Sequence, residues 1–257
     1  MPERSTTEDG VLRLAMWSGP RNLSTAFMRA WGNREDTVVV DEPFYAHYLH
    51  VTGLEHPGRD EVMASQPVDW RRVVASLLAP VGPGVRVLYQ KQMSHHLLPD
   101  MGREWLDAVT HAFLIRDPRS MVASLGEKLG TFDLLETGLP QQVEIFEHVL
   151  GATGRVPPVV DTVDLLERPE PMLRALCAAL DVPFSDRMLW WPAGPRETDG
   201  VWAKYWYDRV EQSTGFEPPA SAAHGRDEAI PLSPRGAAIE AQCRPLYERL
   251  RVHRLRA

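Results

Sequence analysis

Cysteine is scarce in this chain: Cys177 and Cys243 are the only two in 257 residues. Both lie in helix-like contexts, without the close spacing or histidine partners of a zinc site, so both are expected as buried thiols. Long apolar runs are also lacking. Nothing approaches the ~20 residues needed to cross a bilayer, and the opening "MPERSTTEDG" is polar and mixed in charge. The expectation is a cytoplasmic protein with no membrane partner. Positive charge is not in excess either: a formal net charge of -7 argues against a broad basic surface for nucleic acid. Any anion site must therefore be local. No internal repeat is present, and oligomeric state is not legible. What the chain does have is 44% hydrophobic residues, enough for a full core.

Five short apolar runs read as strands: 11–17, 36–44, 84–93, 110–118 and 157–166. Most are rich in β-branched or aromatic residues, as buried parallel strands are. Between them, helical periodicity covers 24–32, 69–79, 118–130, 141–152 and 169–181. Strands alternating with helices predict an α/β fold, a three-layer doubly wound parallel sheet flanked by helices. After about residue 183 the chain turns aromatic and proline-rich, then loose over 217–234, then helical to the end. The expected organisation is one domain over 1–257, with an α/β core at 11–184 and a C-terminal lid region and helix at 185–257. The loose stretch suits a linker or a lid equally. Trp190 and Trp191 are expected in the core.

"SGPRNLST" follows the first run and opens the first helix. In open α/β sheets such a turn offers unpaired N–H groups and the positive end of the helix dipole to an anion. Gly19 permits close backbone approach, Arg21 supplies fixed charge, and Ser24 and Thr25 supply hydroxyls; Pro20, Asn22 and Leu23 complete the loop. A plain capped helix, with Ser24 as N-cap, is the competing interpretation. The loop is not GxxxxGK[ST], since it lacks the second glycine and the lysine, which weakens any case for triphosphate chemistry. A second basic turn, "FLIRDPRSMVAS", places Arg116 at the end of the fourth run and Ser124 eight residues on. An arginine fork and a helix hydroxyl suit a phosphate.

"SGPRNLSTAFM" resembles the 5′-phosphosulfate loop of the sulfotransferase family, and "RDPRSMVAS" resembles its 3′-phosphate motif. "VVDTVDLLERPEPMLRALCAALDVPF" is similar to the family's later strand-helix segment, so the match runs in order over about 11–184. The resemblance implies a P-loop NTPase-like fold and a donor, 3′-phosphoadenylyl sulfate (PAPS), leaving as 3′-phosphoadenosine 5′-phosphate (PAP). It implies phosphosulfate binding by Gly19, Pro20, Arg21, Asn22, Leu23, Ser24 and Thr25, and 3′-phosphate binding by Arg116 and Ser124. The tryptophan that some relatives set against adenine is absent, since the loop continues Ser24, Thr25, Ala26. The adenine contact stays open.

Sulfuryl transfer to a hydroxyl or amine of a small molecule needs an in-line nucleophile, a base and positive charge at the departing phosphate. It needs no metal. Arg21 is the expected stabiliser of that phosphate. Glu42, closing the second run in "VVVDEPF", is the candidate base that the resemblance favours over Asp41, with a helix-capping carboxylate as the alternative. "YQKQMSHHLLPD" adds Lys91, His95 and His96 at the same sheet edge, loosely similar to a lysine-histidine segment of the family; either histidine is a second candidate for the base. His47, Lys91, Trp202 and Lys204 are acceptor-binding candidates, with Trp206 as a pocket or lid residue. The competing functions are a small-molecule kinase and a nucleotide-binding protein without catalysis.

Overall fold

Leu12–Ser18 (β1) is apolar on both faces because it becomes a central strand. It pairs in parallel with Val87–Met93 (β3) on one side, Leu14 opposite Tyr89, and with Thr110–Ile115 (β4) on the other, Met16 opposite Ala112. Thr37–Asp41 (β2) adds to β3 and Val159–Asp161 (β5) to β4, so the computed structural model has a five-stranded parallel sheet of order β2-β3-β1-β4-β5. It describes residues 10–217 and 230–257; most of the 217–234 stretch read as linker or lid lies outside the described residues.

The intervening helices are Ser24–Gly32 (α1), Tyr45–Thr52 (α2), Arg59–Ser65 (α3), Trp70–Leu78 (α4), Pro118–Leu129 (α5), Leu139–Thr153 (α6), Thr162–Glu167 (α7) and Pro169–Leu180 (α8). Ala203–Trp206 (α9), Asp208–Gln212 (α10) and Pro234–Arg251 (α11) follow. Alternation along β1 separates two cores. Leu14 and Met16 face Phe27 and Trp31 of α1 and Leu173 and Leu176 of α8. Ala15 and Trp17 face Met121 and Leu125 of α5, Phe146 of α6 and Leu250 of α11. Helices therefore cover both sides of the sheet, as expected. No helix among the described residues is long and apolar enough to cross a membrane.

Three local differences from the sequence reading have physical causes. The second strand stops at Asp41, because Glu42 takes a left-handed φ of 39° that ends pairing. The fifth run yields only three strand residues, because the Asp161 carboxylate accepts from Val163 N–H at 3.0 Å and starts α7. Trp190 is 51% exposed while Trp191 is 1% exposed. Extended chain at this point puts consecutive side chains on opposite sides, so only one of the pair can enter the core.

Gln142 of α6 closes the sheet's carboxyl edge from below. Its amide donates to Trp17 O and Leu114 O, both at 3.1 Å, satisfying carbonyls at the carboxyl ends of the paired strands β1 and β4. Above that edge, the ends of β1, β2, β3 and β4 open together into one cleft, the crevice where open α/β sheets collect ligands.

Candidate active site

The cleft is a cavity of about 580 Å³, a volume suited to a nucleotide-sized ligand. Its floor at one end is the loop after β1. Arg21 and Leu23 both have φ of 61°, with Asn22 between them in an ordinary conformation. That alternation is the pattern from which anion-binding backbone nests are made, and each left-handed non-glycine residue costs on the order of 1–2 kcal/mol. Such strain concentrates at ligand sites. Asn22, with its amide turned to suit its neighbours, donates to Pro20 O at 3.0 Å and accepts from Gly19 N–H at 3.3 Å, which holds the loop.

Helix α1 begins at Ser24 with Leu23 as N-cap and without a side-chain cap, so Ser24 is a first-turn residue and not the cap. Residues 20–26 line the cavity. An uncapped helix start with two hydroxyls facing a cavity is chemically fit for an anion. Gly19 serves the packing behind the loop: a Cβ there would lie 2.4 Å from Thr137 O, so its bareness admits that carbonyl, and it does not line the cavity.

The second basic turn meets the first. Arg21 Nε donates to Ser124 Oγ at 3.0 Å, and Arg116 Nη1 donates to Arg21 O at 2.5 Å. Arg21, Arg116 and Ser124 line the same cavity, together with Arg209 of α10. Burial, and then the charge of Arg209, push the Arg21 pKa down from its ordinary value. That combination rewards any anion that enters. The helix opened by Pro118 stays in place because Asp117 accepts from Arg119 N–H at 2.9 Å and pairs with Arg244 at 2.6 Å.

A second cluster at the cavity is acidic. Lys91, 1% exposed, donates to Asp41 Oδ1 at 3.0 Å, Glu42 Oε1 at 2.8 Å and the Tyr207 hydroxyl at 2.5 Å. Tyr207 in turn donates to Asp41 Oδ2 at 2.7 Å and accepts from Trp202 Nε1 at 3.1 Å. Burial holds the Glu42 carboxyl above the ordinary glutamate range, against the pull of Lys91. Burial opposes the Lys91 charge too, but Asp41 and Glu42 outweigh it and raise its pKa. The Tyr207 phenol, buried beside both carboxylates, is pushed well up and stays protonated. Glu42 borders the cavity whereas Asp41 does not. It is no helix cap: α2 begins at Tyr45 with Phe44 as N-cap.

His95 and His96 also border the cavity. Burial pushes His95 down to about 3 and His96 well below its ordinary value, so both imidazoles are neutral at pH 7 and reluctant to accept a proton. Three acceptor-binding candidates lie outside the cavity wall. His47 turns its Nδ1 to Val68 O at 2.8 Å. Trp202 is buried under Tyr207, where its indole N–H supports the phenol. Lys204 points to the surface and pairs with Glu61 at 2.7 Å. Lys91 is on the wall, but its ammonium is turned to the two carboxylates.

Several wall residues carried no motif. Tyr45, Tyr48, His56 and Glu136 border the cavity, and Trp206 joins them from the aromatic tract. "FYAHYLH" reads as an ordinary helix, and only the return of residues 203–217 over the sheet edge makes its first turn part of a pocket.

Comparison with known proteins bears on this geometry. Residues 12–234 match the family model described as a sulfotransferase domain. Two Arabidopsis thaliana proteins, branched-chain-amino-acid aminotransferase-like proteins 1 and 2, are 38% and 36% identical over 92% of this chain. The chain spans only 41% of the length of either, so their names describe much larger molecules. Among solved structures, the sulfotransferase domain of the Synechococcus PCC 7002 olefin synthase matches with a TM-score of 0.53 at 14% identity, covering 96% of this chain and 98% of that one. A sulfotransferase from Alicyclobacillus acidocaldarius gives 0.53 at 14%, over 95% and 97%. Likenesses at that identity establish a shared fold.

Proposed function

This chain belongs to the sulfotransferase family, and from that premise we propose that it moves a sulfuryl group from PAPS to a hydroxyl of a small molecule. The observation that carries the proposal is that Arg21, Arg116, Ser124 and Glu42, from three separate segments, border one cavity. A cationic end and a carboxylate with a raised pKa, facing one space, fit a polyanionic donor and a proton-releasing acceptor.

The donor supplies an activated sulfuryl group, whose bond to the phosphate oxygen breaks with its electron pair leaving on PAP as the acceptor oxygen bonds to sulfur. Arg21 holds fixed positive charge where the phosphate departs; its guanidinium stays charged at neutral pH and acts by electrostatics alone. The first-turn N–H groups and the hydroxyls of Ser24 and Thr25 orient the 5′ end, and Arg116 with Ser124 the 3′-phosphate. Glu42 takes the acceptor proton. Its raised pKa makes it a stronger base than an exposed glutamate, and His95, at about 3, is a poorer one. Lys91 is a positioning residue: it fixes the Glu42 carboxylate at 2.8 Å.

Calorimetric titration with PAP and with adenosine 5′-phosphosulfate, which lacks the 3′-phosphate, tests the assignment. Arg116→Ala is expected to weaken PAP by roughly tenfold to a hundredfold, the range of a charge-assisted pair, and to spare the second ligand. Equal losses for both ligands would remove Arg116 from that role.

A further inference from the structure

The cavity wall carries both basic and acidic side chains. Arg21, Arg116 and Arg209 border the cavity, with Arg209 close enough to act on the Arg21 charge and Glu127 and Asp208 acting on it in the opposite sense. Elsewhere on the wall Lys91 pairs with Glu42 and, behind the wall, with Asp41, and a second wall carboxylate, Glu136, lies close enough to act on Tyr48. The cation acting on Glu136, Arg235, is itself held by Phe132 O at 3.0 Å.

Around those carboxylates stands a box of rings. Tyr45 stacks on His96 at 4.8 Å, and Tyr48 stacks on the same imidazole at 4.7 Å. His56 bridges the two tyrosines, 5.9 Å from Tyr45 and 6.0 Å from Tyr48, and lies 6.1 Å from Trp206. A 2.9 Å bond between the Tyr45 hydroxyl and His56 Nδ1 fixes two of the rings. Burial keeps His56, His95 and His96 below the ordinary histidine pKa, so the box adds aromatic surface without positive charge.

Neutral rings rimmed by carboxylates attract cations whose charge is spread over methyl groups. Resting on the sulfuryl-transfer reading of the same site, we propose that the acceptor is an alcohol bearing a quaternary or tertiary ammonium group, with the ammonium between Tyr45, Tyr48, His56 and Trp206 near Glu136. Its hydroxyl reaches toward Glu42, which removes the proton as oxygen bonds to sulfur and PAP departs.

Choline and its uncharged isostere 3,3-dimethyl-1-butanol separate charge from shape. Each is titrated calorimetrically into the full chain saturated with PAP. Choline is expected to bind roughly tenfold more tightly, and Trp206→Ala and Glu136→Gln, checked for unchanged melting, are expected to shrink that preference to about threefold or less. Equal affinity for the two alcohols, or preference for the isostere, in a chain that binds PAP overturns the ammonium box and leaves sulfuryl transfer standing. Choline binding in a chain that does not take up PAP keeps the box and overturns the proposed function. A chain that binds neither PAP nor choline overturns both.

Discussion

Replacing Glu42 by glutamine tests whether the buried acidic cluster does chemistry or merely holds the fold. The shape is kept and one charge is removed. In the native chain the cluster contains one ammonium, Lys91, and two carboxylates, Asp41 and Glu42, for a formal sum of -1. Glu42→Gln brings that sum to zero while Lys91 keeps its 3.0 Å contact with Asp41 and its bond to Tyr207. Stability should therefore stay within about 1 kcal/mol of wild type, since no buried charge loses its last partner. Turnover should not survive: losing a general base costs about 10²- to 10⁴-fold, or about 2.7 to 5.5 kcal/mol of barrier. PAP formed from PAPS in the presence of an alcohol the wild type uses is the assay, with thermal melting alongside. Lys91→Met is the contrasting change. It strands two buried carboxylates, so a loss of about 3–5 kcal/mol of stability is expected. Near-normal turnover in Glu42→Gln would refute the base assignment, and an unfolded Glu42→Gln would refute the charge accounting.

The remaining expectations concern the scaffold. Gly19→Ala drives a Cβ to 2.4 Å from the backbone oxygen of Thr137, which no rotamer change can move aside, so it should destabilise the chain by about 1–3 kcal/mol and distort the donor loop, read as a lowered melting temperature with weakened PAP binding. His111 accepts from Trp17 Nε1 at 2.9 Å and turns its other ring nitrogen to Leu106 O, and burial pushes its pKa down to about 4. Its folded pKa lies below the unfolded value of 6.5, so its contribution is fully present above that pH and is lost as pH falls toward 4. At pH 5 the loss is about 2 kcal/mol, and His111→Gln should flatten the difference between urea melts at pH 7 and pH 5 by that much. An unchanged difference would contradict the neutral buried imidazole.

How much of this was legible in the chain follows from the range of each interaction. Strand positions and the two basic turns are local properties, written in apolar runs and in arginine, serine and glycine at short spacings, and the sheet assembled from them matches the expected architecture. The Lys91, Asp41 and Tyr207 contact is not local: Tyr207 lies 116 residues from Lys91 and 166 from Asp41, and no spacing rule reaches so far. For the same reason Trp202 and Lys204, promising from composition, serve as a buried support and a surface ion pair. His47 and Tyr48 illustrate the sharper limit. Adjacent on one helix, they face about 100° apart, and only the packing of that helix decides that Tyr48 borders the cavity while His47 turns to Val68 O.

A crystal of the chain grown with PAP tests the central claim most directly. One PAP molecule is expected to span the cleft, its 5′-phosphate against residues 20–25 and its 3′-phosphate within hydrogen-bond reach of Arg116 and Ser124, with Glu42 facing the open side of the 5′-phosphate. Density for PAP outside this cavity, or a pose that leaves Arg21 and Arg116 without contact to the same molecule, would contradict the account.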